Sequence, residues 1–178
     1  MPSFLRCLVL LLGLVLAGCM TSKAPLLSAD SRVLPFLPGT VFEVYERDDA
    51  RAPWNKNAAR STFTADRSLV VRELDQTGKP KDDATYTFHP LGSERFLVQA
   101  QFKYGEPYAY GVLEVRNGEG LVTGLNCKSL DQAAFRRDGG TIKDDFCELD
   151  AAPDSLALLR KLAASPAGPQ VRYVPVAK

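Results

Sequence analysis

The chain has 178 residues, 22 basic and 21 acidic side chains, one histidine, and is 46% apolar and 9% aromatic. That length suits one domain with a proper core, and a net charge of +1 gives no electrostatic case for nucleic acid or an anionic surface. A single imidazole denies a zinc site its usual second histidine and leaves any Ser-His-Asp or Cys-His centre dependent on His89 alone.

The first element is a secretory signal. Arg6 supplies the positive start and residues 8–16 form an apolar run interrupted only by Gly13. The run is too short for a permanent span, which needs roughly 20 apolar residues. It closes on Leu16-Ala17-Gly18-Cys19, which resembles the lipobox of bacterial lipoproteins at every position. The resemblance implies a diacylglycerol thioether on the Cys19 sulfur, cleavage before Cys19 and acylation, typically by palmitate, of the new amino terminus. A thiolate is the nucleophile suited to that bond. Several acyl chains, at about 0.8 kcal/mol per buried CH₂, make the anchor persistent. Met20 rather than Asp follows the cysteine, and the sorting rule of that family then implies the outer membrane, with the folded part facing the periplasm.

Cleavage before Cys19 removes Arg6, which leaves basic and acidic residues in balance. The expected organisation is a signal peptide at 1–18, an acylated terminus and flexible tether at 19–33, and a single β-rich periplasmic domain at 34–178. Residues 20–32 are small, polar and without a helix or strand period. Pro35 and Pro38-Gly39 mark where the folded domain starts.

Strands follow. Residues 40–46 are rich in β-formers, Trp54 falls in an irregular stretch, and 63–74 reads as a strand ending at the turn residues 76–80. Ala84, Tyr86 and Phe88 alternate with Thr85, Thr87 and His89, the period of a half-buried strand. Phe96, Val98, Ala100 and Phe102 repeat the pattern, predicting a hairpin. Residues 108–115 and 121–125 flank Asn117-Gly118, a tight-turn signal, so a meander emerges.

The last third changes character. Residues 129–137 have helical composition, and 153–164 form a better helix: Asp154 sits in its first turn, Leu156, Leu159 and Ala163 fall at helical spacing, and Ser165-Pro166 stops it. Val171, Tyr173 and Pro175 alternate with their neighbours, predicting a terminal edge strand, where proline is tolerated. Cys7 leaves with the signal and Cys19 takes lipid, so Cys127 and Cys147 remain as one pair, and an oxidising compartment predicts a disulfide between them. Closing that loop of ~20 residues contributes about 3 kcal/mol.

The expected fold is mainly β with some α: an antiparallel meander or open barrel of about six or seven strands, with one or two C-terminal helices. No catalytic residue, cofactor motif or metal site emerges. There is no Walker loop, G-x-G-x-x-G, calcium loop or G-x-S-x-G elbow, and His89 reads as an exposed strand residue beside Pro90. Glu43 and Glu114 are a carboxylate pair only if folding brings them together. Tyr104, Tyr108 and Tyr110, around a Gly-Glu-Pro turn, form either a contact surface of rigid amphipathic rings or cross-strand packing. The partners expected are the membrane, through the N-terminal lipid, and an envelope protein or the cell wall, but not nucleic acid.

The function expected is that of a lipid-anchored, non-catalytic binding or assembly module. The alternatives are a calycin-like carrier of an apolar ligand and a cell-wall or carbohydrate-active enzyme. The carrier reading comes from Gly39-Thr40-Val41-Phe42-Glu43-Val44-Tyr45, which is similar to the first-strand Gly-x-Trp-Tyr-Glu pattern of bacterial lipocalins, with Val41 in place of the tryptophan.

Overall fold

A computed structural model describes residues 20–48, 50–63, 68–74, 80–102, 107–125, 131–138, 140–143, 146–150, 153–164, 166 and 168–176. Eight of its strands form a closed antiparallel barrel. They are β2 (Val41–Glu46), β3 (Asn55–Phe63), β4 (Ser68–Leu74), β5 (Pro80–Gly92), β6 (Arg95–Phe102), β7 (Tyr108–Arg116), β8 (Glu119–Gly124) and β11 (Val171–Pro175). Each pairs with the next in sequence, β6 pairs with β7, and β11 lies between β8 and β2 to complete the ring.

The last strand decides closure. Predicted as an edge, β11 is hydrogen-bonded on both sides, with Tyr173 opposite Val44 on β2 and Gly120 on β8. Pro175 is the final residue of the strand, where one missing donor is tolerated. Asn117 and Gly118 have positive φ, 53° and 80°, and join β7 to β8 as the tight turn the sequence predicts. The strand predicted over 63–74 is β4 from Ser68 onward, while Phe63 ends β3, a strand the sequence did not predict over 55–62, and pairs with Leu69.

Alternation sorts the barrel residues into two cores. Phe42, Val44, Phe63, Leu69, Phe88 and Tyr173 are among those that point inward. The opposite face of β6 and β7, with Leu97, Tyr110 and Val112, packs against a second layer inserted between β8 and β11. That layer contains α1 (Gln132–Arg137), β9 (Gly140–Lys143), β10 (Phe146–Leu149) and α2 (Pro153–Ala163). Helix α2 buries Leu158, Leu159 and Ala163, and Arg95 Nη2 donates to its C-terminal carbonyl at Ala163, at 2.8 Å. Asp131 caps α1, its side chain accepting from the Ala133 and Ala134 amides at 2.9 and 3.1 Å.

Residues 20–33 are not a loose tether. β1 (Met20–Ser22) pairs antiparallel with β7 and parallel with β10, and Met20 is fully buried. The chain then runs down the outside of the barrel as a strap, making a 3-10 turn at Ala29–Ser31, and the Val33 amide donates to the Phe88 carbonyl at 2.9 Å. Phe36 finally closes one barrel end, its ring centroid 4.9 Å from that of Phe42 and 5.2 Å from that of Phe63, both edge-on. The composition suited a linker, but the polar groups are held by partners far away in sequence. The lipobox lies outside the described residues. No helix among the described residues is long and apolar enough to cross a membrane, which says nothing about strands.

Candidate functional site

The barrel interior is apolar and rich in aromatic rings. At the sealed end, Phe36, Phe42, Phe63 and Phe88 stack around the axis. Elsewhere in the interior, Ala84, Ala100, Ala109 and Gly111 are interspersed with the larger Tyr86, Val98 and Phe102 on β5 to β7. The chain cannot enlarge Gly111, because a Cβ there would lie 2.8 Å from the Thr123 carbonyl oxygen. Between the two ends the buried hydroxyls of Tyr86 and Tyr173 are hydrogen-bonded to each other, with Glu46 nearby. Burial first, then the Glu46 charge, pushes the Tyr86 pKa up to about 12, and burial, then the neighbouring Tyr86 and Glu46, hold Tyr173 well above the usual phenol value. Both are therefore neutral hydrogen-bonding walls rather than acids or bases. At the rim the Arg47 guanidinium stacks 4.2 Å from the Trp54 ring centroid.

No family model, curated protein or solved structure matches the chain.

The outer face of β4 to β7, under the strap, is polar without being charged. Cross-strand register puts Ser68, Thr87, Gln99 and Tyr110 in one rank, with Thr85 and Gln101 in the next. Gln99 is 5% exposed, and its Oε1 accepts from the Leu26 and Leu27 amides, both at 3.1 Å. Tyr110 Oη lies 2.6 Å from Ser22 Oγ and accepts from the Leu26 amide at 3.1 Å. Tyr108 and Tyr110 do share a face, but Tyr110 is 4% exposed beneath the strap and its ring packs in the second core. It is structural, not a contact surface. Tyr108 is half-buried, and Tyr104 lies outside the described residues.

His89 is buried, against the expectation of an exposed strand residue. The strap covers it. Ser31 Oγ donates to the Ser28 carbonyl at 2.9 Å and lies 2.7 Å from His89 Nδ1, so it accepts from an Nδ1–H. His89 Nε2 then accepts from the Thr87 hydroxyl at 3.1 Å. Desolvation, then the charge of Arg32, lowers its pKa to about 4. This Ser-His pair is not an activated nucleophile, because the serine proton points to a carbonyl and the imidazole is oriented by a hydroxyl instead of a carboxylate.

Glu43 and Glu114 do not meet. β11 and β8 lie between their strands, which puts them about 14 Å apart along the sheet at ~4.8 Å per strand. Each is also paired on the outer surface, Glu43 with Tyr45 and Lys56, and Glu114 with Arg95 and Arg116. Cys147 is fully buried and disulfide-bonded, while Cys127 lies outside the described residues. Among the described residues no group of three His, Cys, Asp or Glu is placed to hold a metal ion. Sequence reading missed Gln99 and Ser22 as organising residues. The signal was present for Gln99 alone, as a polar residue in a regular alternation.

Proposed function

We propose that this chain is a lipid-anchored protein of the bacterial envelope whose work is binding, not catalysis, on a calycin-like barrel. The observation that supports it is the closed eight-stranded meander that starts just after Gly39, the segment similar to the lipocalin first strand, with one end sealed by Phe36. A barrel of eight strands is wide enough either to be filled by side chains or to hold one small ligand. The short side chains of Ala84, Ala100 and Ala109, beside Tyr86 and Phe102, favour a ligand at that part of the interior. Its chemistry is apolar, with Tyr86 and Tyr173 offering neutral hydroxyls to one polar group.

Two measurements test this. Protein purified from envelopes should carry diacylglycerol and an acyl chain on a peptide beginning at Cys19; an unmodified Cys19 in that material overturns the anchorage. The same protein should retain an apolar molecule recoverable by organic extraction, or bind a naphthalene sulfonate probe that Ala100→Phe weakens. A barrel that neither yields nor binds such a molecule is not a carrier.

A further inference from the structure

A cleft of about 210 Å³ lies between the strap and the outer face of β4 to β7, walled by Pro25, Thr85, Gln99, Gln101 and Tyr108. The strands line it with hydroxyls, carboxamides and a tyrosine ring, and the strap adds Arg32, the one charged residue among those that form it. We propose that this cleft binds a hydroxyl-rich pyranose unit of an envelope glycan.

The volume accommodates one sugar ring, and the chemistry of the walls selects it. The two strap amides at 3.1 Å fix the Gln99 oxygen, which settles the orientation of the carboxamide. Its Nε2 is thereby turned from the strap toward the cleft that Gln99 lines. The side chain is nine-tenths buried, so these two donors are held in place and lose little freedom on meeting an acceptor. Thr85 and Gln101 face each other across β5 and β6 in the adjoining rank and add a hydroxyl and an amide that both donate and accept. Half-buried Tyr108 presents a flat apolar wall to the C–H face of a ring. A fatty ligand leaves these donors unsatisfied, whereas ring hydroxyls can accept from them and from the Arg32 guanidinium.

This inference rests on the reading of the chain as a binding protein but not on the barrel interior, which is a different site with a different ligand. The test uses the full lipidated chain in detergent, titrated with maltotriose, N,N′-diacetylchitobiose and the peptidoglycan disaccharide while ligand-observed NMR saturation transfer is recorded. At least one sugar should give saturable transfer. Thr85→Val with Gln101→Leu, two outward side chains whose loss leaves the core intact, should weaken it by about tenfold, the factor that ~1.4 kcal/mol produces. Circular dichroism confirms that the variant is folded. Absence of transfer with all three sugars, or equal transfer from the folded double variant, overturns the cleft. Retention of the apolar probe under those conditions leaves the barrel reading standing, so the two fail separately.

Discussion

His89 makes the strap sensitive to acid. Its folded pKa of about 4 lies below the unfolded value of 6.5, so protons bind preferentially to the unfolded chain as pH falls. The stability His89 contributes is complete above about pH 6.5 and declines from there toward pH 4, by on the order of 3 kcal/mol across the window. Denaturant titrations at pH 7.5 and 4.5 should show that loss in the native protein and a smaller one in His89→Gln. Gln99 controls the same segment by geometry, because it supplies the acceptor for two buried amides. Gln99→Leu leaves the Leu27 amide unsatisfied while Leu26 keeps Tyr110 Oη, and should cost about 1 to 3 kcal/mol, with hydrogen exchange at Leu27 accelerating more than at Leu26. Neither role was legible in the linear chain. Alternation placed both residues on the polar side of a strand, and only the arrival of residues 20–33 buried that side.

Elements whose signals are local were read well. Asn117-Gly118 specifies its turn because both positions need positive φ, and α2 starts at Pro153 and ends at Ala163, almost where the spacing of Leu156, Leu159 and Ala163 predicts. β9 and β10 were missed because four-residue strands carry too little periodicity to register. Gly140 shows how tightly that added layer fits: a Cβ there would lie 2.2 Å from the buried Phe135 ring. Gly140→Ala should therefore lower the unfolding free energy by about 1 to 3 kcal/mol through overpacking, and should do so in thermal melts without altering binding. The seal at the barrel end is the converse case. Phe36→Ala removes a half-buried ring from the aromatic group and should cost about 2 kcal/mol, read as a lower denaturant midpoint and as wider probe access to the interior.

For the molecule as a whole, closure sets stability. β11 is contributed by the last residues and joins β2 to β8, so the barrel is complete only when both ends of the domain have met. Folding should accordingly be slow for its size, as expected for non-local antiparallel pairing. The second layer is fastened by the disulfide at buried Cys147. With Cys127 as its proposed partner, Cys147→Ser and Cys127→Ser should each lower stability by about 3 kcal/mol, the value for a loop of ~20 residues, and the double variant should be no worse than either single one. Additive losses would falsify that pairing.

Turn chemistry, period-2 alternation and a signal motif are all properties of neighbours along the chain, so the mainly β class, most strand and helix positions and the expectation of a lipid-anchored envelope protein could be read from residue order. Tertiary structure alone decided that the meander closes, that residues 20–33 belong to the fold, that Tyr110 and His89 are interior, and that Glu43 and Glu114 stay apart. The physical reason is that each of these depends on which distant segment satisfies a strand edge or covers a polar face. A sheet edge accepts any strand with free amides and carbonyls, so the choice of partner appears only when the whole core is packed.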